Sequence, residues 1–282
     1  MSQPSATKQL KTLEGATGEK LVERNGRASR LTEAGQIVVS HAGRVLDTLQ
    51  GLEEELEALR GAETGTLALA ASTTSGSYVL PSILQCFATK HPGVDVDIAI
   101  GSSTWVAERV AKREYSLGIA GEVEMPDGVR AEPFLDDELV GIAAPDRVKL
   151  QRGKATVEEL QRWTLLVRES GSSTRAVAER YLARTGYHPT NRWELDSNEA
   201  IKRTVQAGLG VGFVSKLVAR DEVERGELVE FRIEGSEPML RSIYLVLPAD
   251  RDPTPSERAF ISSLNDCCAV TIDGCRVGGS SA

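Results

Sequence analysis

The chain has 282 residues, of which 26% are charged, and a formal net charge of −8 at pH 7. This length is sufficient for two domains, and no apolar run approaches the roughly 18 residues that a membrane-spanning helix needs. Residues 1–30 hold six basic and three acidic side chains, a balance of +3, so the remaining residues carry −11. This polarity indicates a basic, DNA-facing end on an acidic body.

The four cysteines lie at positions 86, 267, 268 and 275, and their spacing is not that of a metal site. We therefore expect reduced thiols in a cytoplasmic protein that uses no metal or cofactor.

The opening segment, SQPSATKQLKTLE over residues 2–14, predicts a helix that begins at the N-cap Ser2 with Pro4 in its first turn. Leu10 and Leu13 begin an apolar stripe on this helix. The segment that follows, over residues 21–31, has two short arms around Asn25-Gly26, a sequence typical of a β-hairpin. Three basic side chains decorate this hairpin: Arg24, Arg27 and Arg30.

A long helix is predicted to begin after Thr32 and to reach about Arg60. Its apolar residues recur at alternating spacings of four and three, which is the period of a two-helix seam: Val38, Ala42, Val45, Leu49, Leu52, Leu56 and Leu59. The alternative is a single amphipathic helix that packs on its own body. The strict repeat favours a seam between two copies, and we expect Glu53, Glu54, Glu55 and Glu57 to face outward.

The body alternates strand and helix patterns, which predicts an α/β fold of two lobes with parallel strands and helices on both faces. The first lobe is predicted as strand 66–72, helix 78–90, strand 94–100, helix 104–113 and strand 116–122. A crossover strand at 136–145 leads to helix 156–163, strand 164–170, helix 173–184, strand 192–196, helix 198–207 and strands 211–215 and 228–234. The chain returns through strand 241–248 and a last helix over 255–268, which leaves a cleft between the lobes.

Loops at the carboxyl ends of the predicted strands are rich in hydroxyl groups and lead into helix N-termini, an environment suited to an anion. N-capping accounts for one hydroxyl in each loop, but not for four in six residues on both sides of one cleft. The predicted effector-binding residues are Ser72, Thr73, Thr74, Ser75, Gly121, Glu122, Ser170, Gly171, Ser172, Thr174, Arg175 and Asn198.

A capped basic helix, a basic hairpin and a dimerising helix together indicate the end of a winged helix-turn-helix. These segments, with LALAASTTSGSYVLP, RESGSSTR and AGLGVGFVS in the body, resemble the LysR-type transcriptional regulators over nearly the whole chain. The resemblance implies an effector domain with the architecture of type II periplasmic binding proteins. ASTTSGSYVLP is most similar to the regulators of carbon-fixation and sulfur-assimilation operons, which implies a small anionic effector such as a phosphorylated metabolite, a nicotinamide nucleotide, sulfate or acetylserine.

On this resemblance we divide the chain into a partial winged helix-turn-helix (1–31), a dimerisation helix (32–61), an effector domain (62–270) and a flexible tail (271–282). Lobe one of the effector domain comprises 65–140 and 245–270, and lobe two comprises 141–244. The expected DNA-binding residues are Ser2, Gln3, Pro4, Ser5, Thr7, Lys8, Arg24, Arg27 and Arg30. The expected partners are promoter DNA, an anionic metabolite and further copies of the chain, as a homodimer or homotetramer, with no membrane.

The start of the chain affects the expected DNA affinity. In that family two further helices precede the recognition helix, and Met1 stands where a small apolar residue is common. We hypothesise that the chain begins at an internal codon and binds DNA weakly. The alternative is a natural short form that binds the metabolite and oligomerises but has lost specific DNA binding.

An enzyme and a cytosolic solute-binding module are the competing classes. His41, His91 and His188 form no recognisable triad with a serine or cysteine, and GLGVG lacks the dinucleotide fingerprint. The acidic residues 136–138 lie on the predicted crossover strand, which indicates a polar hinge between the lobes rather than a catalytic pair. A solute-binding module would need neither the seam nor the basic hairpin. The sequence therefore predicts a regulator and no catalysis.

Overall fold

The computed structural model describes residues 3–25, 28–59 and 64–271, and the side chains of 5–23, 29–57 and 64–266. The predicted tail after residue 271 and the predicted DNA contacts Ser2 and Arg27 lie outside the described residues. The side chains of Gln3, Pro4 and Arg24 lie outside the described side chains.

The helix, hairpin and long helix that the sequence predicts for the first sixty residues are present. Helix α1 spans Gln3–Thr17, and an antiparallel hairpin of β1 (Val22–Asn25) and β2 (Ala28–Leu31) follows it. Asn25, predicted to lie in the turn, is the last residue of β1 and pairs with Ala28.

The hairpin is held against the long helix α2 (Glu33–Leu59) by a close backbone approach. Thr32 caps α2 as predicted, because its hydroxyl accepts a hydrogen bond from the N–H of Gly35 at 3.0 Å. A Cβ atom on Gly35 would lie 2.1 Å from the carbonyl oxygen of Leu21, so only glycine fits there. The N–H of Leu21 donates to the carboxylate of Glu14 at 3.0 Å, which lowers the pKa of Glu14 and joins α1 to the hairpin.

The apolar stripe of α2 faces away from the body. Leu49 and Leu52 are about half exposed, at 50% and 52%, and Val45 is exposed at 59%. The alternative in which this stripe packs on its own body is therefore wrong. Glu54, predicted to face outward, is 4% exposed, because its carboxylate accepts hydrogen bonds from Ser256 in the body.

The body has the predicted α/β fold, but its sheet is mixed, with antiparallel as well as parallel strand pairs where only parallel strands were predicted. Its first part contains β3 (Gly65–Ser72), α3 (Thr73–Tyr78), α4 (Leu80–Lys90), β4 (Val94–Gly101), α5 (Ser103–Ala111), β5 (Leu117–Gly121) and the start of β6 (Val129–Ala143). Its second part contains β7 (Lys154–Ala155), α6 (Val157–Leu160), β8 (Leu165–Arg168), α7 (Ser173–Thr185), β9 (Arg192–Leu195), α8 (Asn198–Gln206), β10 (Val211–Ser215), α9 (Lys216–Glu224) and β11 (Val229–Ile233). The chain returns through β12 (Met239–Pro248) and α10 (Pro255–Thr271).

The strands lie in the order β4-β3-β5-β12-β6-β10-β8-β9, with β11 and β7 pairing beside β6. Strand β6 pairs with β12 over its first part and with β10 and β11 over its last part, so it runs from one lobe into the other. Each lobe has its own apolar core: Phe87 and Phe260 pack edge to face at 5.6 Å in lobe one, and Phe213 and Phe231 do so at 5.8 Å in lobe two. None of the described helices combines the length and apolar character of a membrane span.

Several boundaries differ from the prediction. The predicted helix over 78–90 begins at Leu80, with Pro81 in its first turn, and the predicted loop before it contains the separate short helix α3. Strand β6 begins at Val129, before the predicted start at 136, because β12 pairs with it from Val129 to Leu139. The predicted helix over 156–163 ends at Leu160, and α9 has no counterpart in the prediction.

Cys86 on α4 is disulfide-bonded, so the expectation of a reduced thiol is wrong for this residue. The side chains of the other three cysteines lie outside the described part of the chain. Helices α4 and α10 pack together, and Lys90 forms an ion pair with Asp266 at 2.9 Å. The packing of α4 against α10 brings together residues that are far apart in the sequence, and cysteine spacing does not reveal it.

Candidate functional site

The two lobes meet where strand ends lead into helix starts. The N–H of Thr104, at the start of α5, donates to the carbonyl oxygen of Gly171 across the lobes at 3.1 Å. Beside this contact lies a cavity of about 320 Å³. Both lobes line it, through Thr104, Glu124, Ser170, Gly171, Ser172 and Arg175 among others.

The serines of the first hydroxyl-rich loop cap a helix. Ser72 accepts a hydrogen bond from the N–H of Ser75 at 3.5 Å, and the two hydroxyls lie 2.9 Å apart. Their buried positions are therefore explained by the start of α3.

The threonines of the same loop contact the opposite lobe. Thr73 accepts a hydrogen bond from Arg168 Nη2 at 2.9 Å, and Thr74 accepts one from Asn198 Nδ2 at 3.2 Å. Arg168 also donates to the side-chain oxygen of Asn198, and two further bonds of 2.7 and 2.9 Å join it to Glu169. The predicted residues Thr73, Thr74 and Asn198 thus meet around a buried arginine.

A second buried arginine lies on the returning strand β12. Arg241 binds Asp137 through two nitrogens, at 2.8 and 2.7 Å, and it donates to Ser173 and Thr174 at 3.3 and 3.0 Å. Asp137 also accepts a hydrogen bond from Ser215 at 2.7 Å. This network joins the crossover strands β6 and β12 to the N-terminus of α7. Asp137, one of the acidic residues 136–138, therefore serves as a polar contact between the lobes, as the sequence predicts for a hinge.

Arg175, predicted to supply charge to the site, lines the cavity but already has carboxylate partners. It donates to Glu179 at 3.0 Å and to Glu194 at 2.7 Å. Burial disfavours its charged form, but these two hydrogen bonds outweigh burial and raise the pKa of Arg175.

Gly121 and Glu122 lie at the lobe-one side of the junction. The N–H of Gly121 donates to the hydroxyl of Ser103 at 3.2 Å, and a Cβ atom on Gly121 would lie 2.5 Å from the hydroxyl oxygen of Ser173. Glu122 accepts a hydrogen bond from Arg180 of lobe two at 2.9 Å. Glycine therefore permits the close approach of the lobes, and Glu122 bridges them at the exposed rim.

The sequence interpretation missed Arg168 and Arg241. Each is an arginine within an otherwise apolar strand, in TLLVRES and MLRSIYLVLP. A charged residue at a buried strand position needs a partner, and this signal could have identified both.

The expected DNA-binding surface is partly described. Ser5, Thr7 and Lys8 are exposed on α1, and Arg30 is exposed on the hairpin strand β2. Leu13, on the apolar side of α1, is also exposed. A basic helix and a basic hairpin are thus presented together, as a groove-binding helix and its wing require.

A DNA-binding helix and hairpin, followed by a long helix and a two-lobed domain with a polar cleft, define a ligand-responsive transcriptional regulator. Residues 60–269 match the LysR substrate binding domain, and residues 1–36 match the bacterial regulatory helix-turn-helix of the lysR family. The chain therefore belongs to the LysR family of transcriptional regulators, as its resemblance implies.

Relatives of the chain include regulators of carbon fixation. The RuBisCO operon transcriptional regulator of Acidithiobacillus ferrooxidans is 33% identical over 97% of this chain and 87% of its own length. The regulatory domain of Synechocystis PCC6803 CcmR, solved in complex with 2-PG, is 30% identical, with a TM-score of 0.66 over 74% of this chain and 99% of that domain. A full-length OxyR variant from Pseudomonas aeruginosa is 23% identical, with a TM-score of 0.73 over 95% of this chain and 87% of that chain, and shares the fold.

Proposed function

We propose that this regulator controls a carbon-fixation operon and binds a small phosphorylated anion in the cavity between its lobes. The observation that carries the proposal is the convergence of hydroxyls from both lobes at the N-terminus of α7. That helix has 13 residues, and the hydroxyl of its N-cap, Ser172, makes no capping bond. Backbone N–H groups at such a terminus favour an anion.

Arg175 provides the charge for this anion. Its partner Glu194 is 53% exposed, and its attraction for the guanidinium is therefore screened by water. An anion in the cavity competes with Glu194 for Arg175 while Thr104, Ser170 and Ser172 supply hydroxyls. The 2-PG bound to the CcmR regulatory domain supports a phosphorylated ligand of this size.

We further propose that the chain divides as the sequence indicates, into 1–31, 32–61, 62–270 and 271–282. The remaining predicted site residues serve in different ways: Thr73, Thr74, Thr174 and Asn198 shape the cleft, Ser72 and Ser75 hold α3, and Gly121, Glu122 and Gly171 allow or bridge lobe contact. The protein acts on chromosomal DNA in the cytoplasm, as a homo-oligomer and without catalysis.

Titration calorimetry with 2-PG and with inorganic phosphate tests the effector site. We expect binding of 2-PG, and we expect Arg175→Ala and Ser172→Ala each to weaken it by about 5- to 150-fold, because a hydrogen bond to a charged group contributes roughly 1–3 kcal/mol. Arg184→Ala, an exposed arginine on the same helix, is the matched control. Equal losses in the control, or no binding by the native chain, would contradict the proposal.

Salt-dependent binding to promoter DNA tests the DNA-binding surface. Lys8→Ala and Arg30→Ala should each lower affinity about equally for all sequences and reduce the slope of log K against log salt by about 0.9, since each removes one phosphate contact. Lys216→Ala, an exposed lysine on the body, should leave the slope unchanged. An unchanged slope in the first two variants would place the DNA elsewhere.

A further inference from the structure

A lysine and a glutamate form an ion pair between helices α8 and α9 of lobe two. Lys202 on α8 donates to Glu222 on α9 at 2.7 Å, and both residues are buried. The carboxylate of Glu199 lies 3.3 Å from the same ammonium group, but it is more than half exposed and is also bound by Arg203. The buried counter-ion of Lys202 is therefore Glu222.

The stability of the fold does not account for this ion pair. Among the described residues, no donor reaches the buried Oε2 atom of Glu222, and an unsatisfied buried oxygen costs free energy. The same two helices contribute Ile201 and Val218 to an apolar cluster of lobe two. Replacing a buried ion pair by apolar residues of similar volume is often neutral or stabilising, so the pair needs a further role.

Tyr78, the last residue of α3 in lobe one, lies next to this ion pair. Lys202 Nζ is 5.8 Å from the centre of the Tyr78 ring, a distance at which a cation is attracted to the ring face. Tyr78 also packs on the apolar cluster of lobe two. Burial disfavours the charged form of Lys202, but its interactions with Glu222 and Tyr78 outweigh burial and raise the pKa of Lys202. The ammonium group therefore stays charged beside the ring.

Helices α3 and α8 contact each other across the lobes at a second position, nearer the cleft. Thr74 on α3 accepts a hydrogen bond from Asn198 Nδ2 at 3.2 Å, and Asn198 is the first residue of α8. Lys202 follows Asn198 by four residues, about one helical turn. Tyr78 follows Thr74 by the same interval, so the two helices are joined at two matched positions.

The position of α3 affects the proposed effector site. This helix has only six residues, and a helix of that length is not stable without tertiary contacts. Thr73 at its start accepts a hydrogen bond from Arg168 at 2.9 Å, and the carbonyl oxygen of Arg168 accepts one from Arg175 at 3.2 Å. A displaced α3 therefore disturbs the arginine that provides the charge for the effector.

We propose that Lys202 is a positioning residue of the effector cleft, which holds α3 against lobe two through the ring of Tyr78. Glu222 keeps the ammonium group in place. The contact forms when the lobes lie together as they do here. On the proposed function, an effector between the lobes and this contact therefore stabilise each other.

Hydrogen–deuterium exchange of the α3 amides, followed by mass spectrometry, tests the contact without any effector. The variants Tyr78→Leu, Lys202→Met/Glu222→Leu and their combination form a double-mutant cycle. Lys202→Met/Glu222→Leu removes both charges, so its urea midpoint should stay close to the native one. Each of the first two variants should raise exchange by about tenfold, the effect of losing a desolvated cation–π contact. The combination should raise it no further than Tyr78→Leu, because both changes remove the same contact.

Lys216→Met/Glu230→Leu is the matched control for the exchange measurement. It removes a lysine and a glutamate that lie 3.9 Å apart in the same lobe but are exposed. This control should keep the native exchange of α3. Native-like exchange in Lys202→Met/Glu222→Leu, or increases that add up in the combined variant, would overturn the proposal.

Titration calorimetry with 2-PG measures the effect on the cleft. Neither Lys202 nor Glu222 lines the cavity, yet Lys202→Met/Glu222→Leu should weaken 2-PG binding by about 2- to 30-fold, whereas the control should bind as the native chain does. An unchanged affinity in this variant would overturn the positioning role. If the native chain does not bind 2-PG, the proposed function is contradicted, and the exchange measurements alone decide whether Lys202 positions α3.

Discussion

Leu49→Glu combined with Leu52→Glu is expected to convert the chain from a dimer into a monomer in sedimentation experiments. Both leucines lie in the heptad stripe of α2, and about half of each side chain is exposed in the single chain. Burial of apolar surface contributes about 25 cal/mol per Å². Glutamates in the seam would remove this contribution and place like charges opposite each other.

The control for this experiment is Glu53→Gln combined with Glu55→Gln, because both glutamates are exposed on the same helix. The control should remain dimeric, and both variants should keep the helical signal of the native body. A native protein that sediments as a monomer, or a Leu49→Glu/Leu52→Glu variant that stays dimeric, would show that the stripe is not the seam.

The order of strands and helices could be predicted because buried strands such as LALAAS and VGFVS are short apolar runs bounded by turn residues. Helix α9 could not, because no turn residue separates it from β10. Ser215 ends the strand and also caps the helix, accepting a hydrogen bond from the N–H of Leu217 at 3.2 Å. Glu54 could not be assigned either, since its partner Ser256 is 202 residues away.

The loop residues of the cleft could be predicted from the sequence, but the buried arginines that they contact could not. A strand end followed by hydroxyls indicates the loops, and Thr73, Thr74, Thr174 and Asn198 do lie at the junction of the lobes. Their partners could not be inferred, because Arg168 is 95 residues from Thr73 and Arg241 is 67 residues from Thr174. Local patterns report which residues begin a helix, whereas only the tertiary fold decides which buried charge they face.

The buried pair of Asp137 and Arg241 gives the second large effect. Asp137→Ala is expected to lower the free energy of unfolding by about 3–5 kcal/mol, because it leaves the guanidinium of Arg241 buried without its counter-ion. Urea unfolding measured by circular dichroism reports this loss. Asp136→Ala, the neighbouring exposed aspartate, should change the free energy of unfolding by less than about 1 kcal/mol.

A second substitution separates the lost charge pair from simple damage to the strand. Adding Arg241→Met to Asp137→Ala removes the unpaired charge and should restore most of the free energy of unfolding, since a buried ion pair often adds little over apolar packing. On the proposed function, the double variant should still bind the anionic effector more weakly than the native chain, because Ser173 and Thr174 lose the donor that holds them at the start of α7. If Asp137→Ala were no more harmful than Asp136→Ala, the pair would not hold the crossover strands together.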